Sequence, residues 1–86
     1  MKYKIFPGHT GKDIQIVIGR SSIRTPDFPQ EVLDYIDEQI NARIVPLYEA
    51  KQAATDHNEK WDINTQMQRE RDEIRNEANQ MLKRMA

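Results

Sequence analysis

Residues 47–86, LYEAKQAATDHNEKWDINTQMQRERDEIRNEANQMLKRMA, run for forty positions without a glycine or a proline. Ala, Glu, Gln, Arg, Lys and Met dominate the stretch, and these residues lose little on entering a helix. It therefore predicts a long C-terminal helix over 46–86, with Asp62-Ile63-Asn64-Thr65 as the polar run where it could be interrupted. Leu47, Ala50, Ala54, His57 and Trp61 follow one stripe; Ile63, Met67, Ile74, Ala78, Met81 and Met85 follow another, displaced around the axis. Unbroken, such a rod spans roughly 60 Å. Its second stripe, flanked by Arg69, Glu70, Arg71, Asp72, Glu73, Arg75 and Glu77, reads as a helix–helix seam. The expectation is that a small chain cannot cover that seam alone. Copies would then associate through Trp61, Met67, Ile74, Ala78, Met81 and Met85. A compact monomeric helical hairpin is the competing reading.

Working outward, the helix breakers cluster upstream. All three glycines lie within the first 19 residues, and the four prolines end at Pro46. Val32, Leu33, Ile36, Ile40 and Ile44 recur at three- and four-residue spacing, predicting a helix over 27–45. Asp27, with Gln30 three residues on, resembles a capping box, and Pro29 is tolerated in a first turn. Pro46 removes a backbone donor and crowds the preceding turn, so a kink or break is expected there. Upstream the period changes to two: Tyr3 and Ile5 oppose Lys2 and Lys4, and Ile14, Ile16 and Ile18 oppose Gln15. With Gly8 and Gly11 between these rows, residues 1–19 read as a β-hairpin, joined by a loop over 20–26. A lone hairpin is marginal in water, so its isoleucine face must dock on a neighbour. The class is α+β in a single domain: an N-terminal hairpin followed by two helical segments, forming an antiparallel pair or an oligomeric bundle.

Composition narrows the chemistry. Ile, Leu, Val and Phe make up only 18 of 86 residues, and charged residues 31%. Cysteine is absent, which removes disulfides, thiolate metal sites and a cysteine nucleophile. The longest apolar runs, Ile16-Val17-Ile18 and Ile44-Val45-Pro46-Leu47, are too short to cross a bilayer, and the N-terminus lacks the apolar core of a signal peptide. A cytoplasmic protein without membrane partners is the expectation. Net charge is −1, but residues 1–26 carry +4 and residues 27–60 carry −5. That field is weak beside typical nucleic-acid binders.

Gly8-His9-Thr10-Gly11-Lys12-Asp13 departs from a P-loop: two residues separate its glycines, Asp13 follows the lysine, and a strand comes next. It reads as a hairpin turn. Gly19-Arg20-Ser21-Ser22-Ile23-Arg24-Thr25 is the better binding candidate, with two guanidinium groups and three hydroxyls leading toward a helix start. Arg20, Ser21, Ser22, Arg24 and Thr25 would hold phosphate, with Lys12 or Tyr3 contributing from the hairpin. The competing reading is a solvated loop whose arginines pair with Asp34, Asp37 or Glu38. His9 and His57 lie in different segments, and Asp56-His57-Asn58-Glu59 lacks the pattern of a calcium loop, so no metal site is expected. Tyr48 and Trp61 could stack a base or anchor a partner, although aromatics on a helical seam are more often packing residues.

No catalytic constellation emerges: Ser21 and Ser22 lack a histidine–acid pattern. The expected function is non-enzymatic and cofactor-free, a small homo-oligomer that sequesters a phosphate-bearing ligand such as a nucleotide signal. An interaction inhibitor or adaptor, covering a basic surface on a host protein through Asp34, Asp37 and Glu38, is the alternative. A structural assembly subunit is the third. In size and layout the chain is similar to small accessory proteins encoded by bacteriophages, a likeness that assigns no role to any residue.

Overall fold

The computed structural model describes residues 3–8, 13–19 and 28–85. Strands β1 (Tyr3–Pro7) and β2 (Ile14–Ile18) pair antiparallel, with Tyr3 opposite Ile18, Ile5 opposite Ile16 and Pro7 opposite Ile14. The Gly8 amide donates to the Asp13 carbonyl at 2.7 Å. Hydrogen-bonded pairs alternate along an antiparallel ladder, so the outward-facing backbone groups belong to residues 3, 5 and 7 and to 14, 16 and 18. Pro7 thus occupies a strand position that needs no donor toward its partner. Ile5, Ile14 and Ile16 are buried on one face, as the period-two pattern requires. On the opposite face the Lys4 ammonium lies 5.2 Å from the centre of the Phe6 ring.

Helix α1 (Gln30–Gln39) starts at Gln30, with the Pro29 carbonyl accepting from the Val32 and Leu33 amides. Asp27, expected to cap it, lies outside the described residues. Buried Val32, Ile36, Ile40 and Ile44 follow one another every four residues. In a regular α-helix each such step drifts about 40° around the axis, which would leave Ile44 about 120° from Val32. The chain instead widens into a π-helical turn over Ile40–Ile44, closed by the Val45 amide donating to the Ile40 carbonyl. One extra residue in a turn takes up about 100°, so Ile44 returns to the face of Val32.

Pro46 follows directly, near the start of α2 (Val45–Ala53). Its ring would press on the carbonyl four residues back, Ala42, which belongs to the widened turn. The helical path therefore passes Pro46 without a break, and the segment expected to end at 45 forms one arm over residues 30–53.

The chain reverses later. Ala54 adopts an extended conformation at φ −72° and ψ 137°, and the Asp56 carboxylate accepts the Asn58 amide at 3.2 Å. Asp56 caps α3 (His57–Met85), which continues through 62–65 without interruption. The single helix expected over 46–86 is thus divided at 54–56. At 29 residues α3 measures about 43 Å, matching the 45 Å long axis of the molecule.

This division corrects the expectation of an uncovered rod. With the chain folded back, Met67, Ile74 and Ala78 pack into a core with Ile5, Ile14, Ile16 and the isoleucine row of the first arm. They are buried inside their own chain. Met81 is half-buried beside them, while Trp61 and Met85 are 67% and 48% exposed. Arg43, from the π turn, bridges Glu70 and Glu73 of α3. Ion pairs at the surface contribute about 0.2–1 kcal/mol, and this partly buried one also loses hydration, against about 1.5–3 kcal/mol for each fully buried aliphatic side chain. Apolar packing therefore holds the arms together. Among the described residues no helix is long and apolar enough to cross a membrane.

Truncating Ile74, which is fully buried, should cost about 2–5 kcal/mol in Ile74→Ala. Met85→Ala, at an exposed position, should stay within about 0.5 kcal/mol of the parent. Urea unfolding curves measure both.

Candidate functional site

β2 packs along α3, and a cleft of about 170 Å³ opens between the C-terminal end of the strand, α2 and α3. Val17, Ile18, Tyr48 and Met67 supply its apolar wall. Lys51 from α2 and Asn64, Gln68 and Arg71 from α3 supply the polar side, with Gly19 at the rim. Asn64, Gln68 and Arg71 stand four and three residues apart, the spacing that puts side chains on one helical face.

Packing of β2 along α3 fixes this geometry. The Ile14 amide donates to Asn79 Oδ1 at 2.7 Å, and the Asn79 side-chain amide returns a bond to the Ile14 carbonyl at 3.5 Å. Arg75 donates to Gln15 Oε1 at 3.4 Å. The strand therefore runs antiparallel to α3 and delivers its last residues to Arg71. Gly19 follows at φ +90°, a conformation that costs an L side chain strain and that glycine adopts freely. It stands directly after β2, and the Arg20–Thr25 segment that follows in sequence lies outside the described residues.

Two cations face the cleft. Lys51 Nζ donates to Asn64 Oδ1 at 3.3 Å and has no carboxylate partner among the described residues. Arg71 pairs with its chain neighbour Asp72 at 3.2 Å in a partly exposed contact. The Tyr48 hydroxyl accepts from Gln52 Nε2 at 2.9 Å. Potential of positive sign beside an apolar wall suits an anionic group attached to a less polar body.

Of the residues expected to hold phosphate, Lys12, Arg20, Ser21, Ser22, Arg24 and Thr25 lie outside the described residues. Tyr3 is described, and it stands elsewhere: its hydroxyl donates to Asp37 Oδ1 of α1 at 2.5 Å. Burial, then the hydrogen bond to Asp37 and its charge, raise the Tyr3 phenol above its ordinary value of 10.0. Asp37 also accepts from Asn41 Nδ2 at 3.5 Å, and Asp34 from Gln30 Nε2 at 2.8 Å. Glu38 is exposed on the same helix. His57 is exposed in the first turn of α3, and His9 lies outside the described residues. Lys51 and Arg71 were missed by the sequence reading, which took Arg71 for a flank of a seam.

Comparison with protein-family models, curated proteins and solved structures returned no match to this chain.

The Tyr3–Asp37 contact has a pH signature. Above pH 10 the unfolded chain releases the phenolic proton while the folded chain retains it, so stability falls as pH rises through that range. Tyr3→Phe should lack this component. Urea midpoints measured from neutral solution to above pH 10 should show a shallower alkaline decline in the variant than in the parent.

Proposed function

We propose that the chain is a binding protein that holds a phosphate-bearing small molecule in the cleft between β2, α2 and α3 and returns it unchanged. The observation that carries this reading is the convergence of Lys51 and Arg71, from two helices, on the end of β2. There the sequence passes into Arg20-Ser21-Ser22-Ile23-Arg24-Thr25, rich in the groups that bind phosphate oxygens.

Both cations can turn to a ligand at small cost. Among the described residues Lys51 is held by a neutral amide alone, and a partly exposed ion pair such as Arg71–Asp72 contributes little. Neither a carboxylate nor an imidazole is among the described lining residues, so none of these side chains is suited to activating water. That supports capture over turnover. The competing site, the acidic face of α1, has two of its three carboxylates engaged by the chain's own side chains. The cleft is the better-supported site.

Pyrophosphate tests the reading directly. A ligand present at a hundredfold excess over its Kd stabilises the folded state by about 2.7 kcal/mol. Each kcal/mol raises the melting temperature by roughly 4–8 °C in a domain of this size. Arg71→Ala, which removes a charged hydrogen-bond donor, should weaken pyrophosphate binding at least roughly tenfold. Lys51→Ala should act in the same direction. A melting temperature that does not move with millimolar pyrophosphate would overturn the proposal.

A further inference from the structure

We infer that the phosphate-bearing molecule is a nucleotide, with its phosphates between Arg71 and Lys51 and its base laid against Trp61. The inference rests on the phosphate reading above and adds the class of ligand.

Size comes first. The cleft encloses about 170 Å³, against roughly 300–1,000 Å³ for sites that surround a drug-sized ligand. A phosphate group with part of a sugar fills it, and the rest of a larger molecule must lie on adjoining surface. The direction of that surface follows from the strand–helix packing. Because β2 meets α3 at Asn79, then Arg75, then Arg71, the cleft continues along α3 toward the N-terminus of the helix. It passes Gln68 and reaches Asn64, about 10 Å along the axis from Arg71. Lys51, bonded to Asn64, marks the far end of the charged stretch.

One helical turn beyond Asn64 stands Trp61. Residues three apart on a helix are neighbours, so Trp61 stands on the same side of α3, just past the Asn64 end of the cleft and outside its lining. Trp61 is 67% exposed, and no element of the described chain covers it. The turn at 54–56 has removed it from the seam that its spacing suggested. An indole at this place offers a broad π-face to a planar group, and stacking of a base on an aromatic side chain tolerates any base identity. The cleft thus presents, in order, a cation, an apolar wall, a second cation and an aromatic shelf. A nucleotide carries groups of those kinds, whereas inorganic phosphate leaves the wall and the shelf unused.

Trp61 is the sole tryptophan, so its emission reports on its own contact. ADP, adenosine and pyrophosphate are titrated into the full chain, with fluorescence followed for the parent and calorimetry for the parent and Trp61→Leu. ADP should quench the emission and bind roughly 5- to 150-fold more tightly than pyrophosphate. In Trp61→Leu, with folding checked by its melting curve, the ratio of the two affinities should fall toward one. Adenosine alone should bind more weakly than ADP. If ADP binds no tighter than pyrophosphate, or keeps its advantage in Trp61→Leu, the base contact is wrong and the phosphate site stands. Absence of binding by both ADP and pyrophosphate defeats the two readings together.

Discussion

Four aliphatic side chains at intervals of four, Val32, Ile36, Ile40 and Ile44, are all fully withdrawn from water. That requirement governs the rest of the molecule. A regular α-helix cannot present such a row to one neighbour, so the backbone accepts a widened turn at Ile40–Ile44. With the row straightened, the hairpin's isoleucines and the α3 seam have one common surface to cover. The same turn directs Arg43 toward Glu70 and Glu73, which sets the azimuth of α3 against the first arm. Where α3 lies decides where β2 ends, and hence where Lys51 and Arg71 meet.

Much of this architecture was legible in the residues. Alternation at Tyr3–Ile5 and Ile14–Ile18 marked the strands and their inward faces, because a one-residue slip would turn the buried side chains out to water. The apolar row of the first arm and the seam from Ile63 to Met81 were likewise plain. What misled was the search for glycine and proline as punctuation. The chain reverses at Ala54–Asp56, where neither occurs. A legible signal was there: Asp56 stands three residues before Glu59, the spacing of a helix start. The same four residues, Asp56-His57-Asn58-Glu59, are rich in metal-ligand types, which obscures that signal. At Pro46 the helix is not broken, and the irregularity expected there takes the form of a π turn just before it, which accommodates a proline that a regular helix would reject.

The cleft was less legible, for a geometric reason. Its walls come from residues 17–19, 48–51 and 64–71, three stretches whose meeting depends on the position of one turn. Once 54–56 is known to reverse the chain, Lys51 falls opposite Asn64 and the cation pair follows. Before that, Arg71 belongs to a solvated flank and Trp61 to an interior stripe. Gly19, at the boundary of strand and loop, adopts a left-handed conformation that only glycine takes without strain.

Asn79 has a further effect through the two bonds it makes with Ile14. Its side-chain amide imitates a third strand at the outer border of β2, filling the outward donor and acceptor of Ile14. A strand approaching that border from another molecule meets a side chain where the ladder would begin, because the backbone pair of Ile14 is already spent.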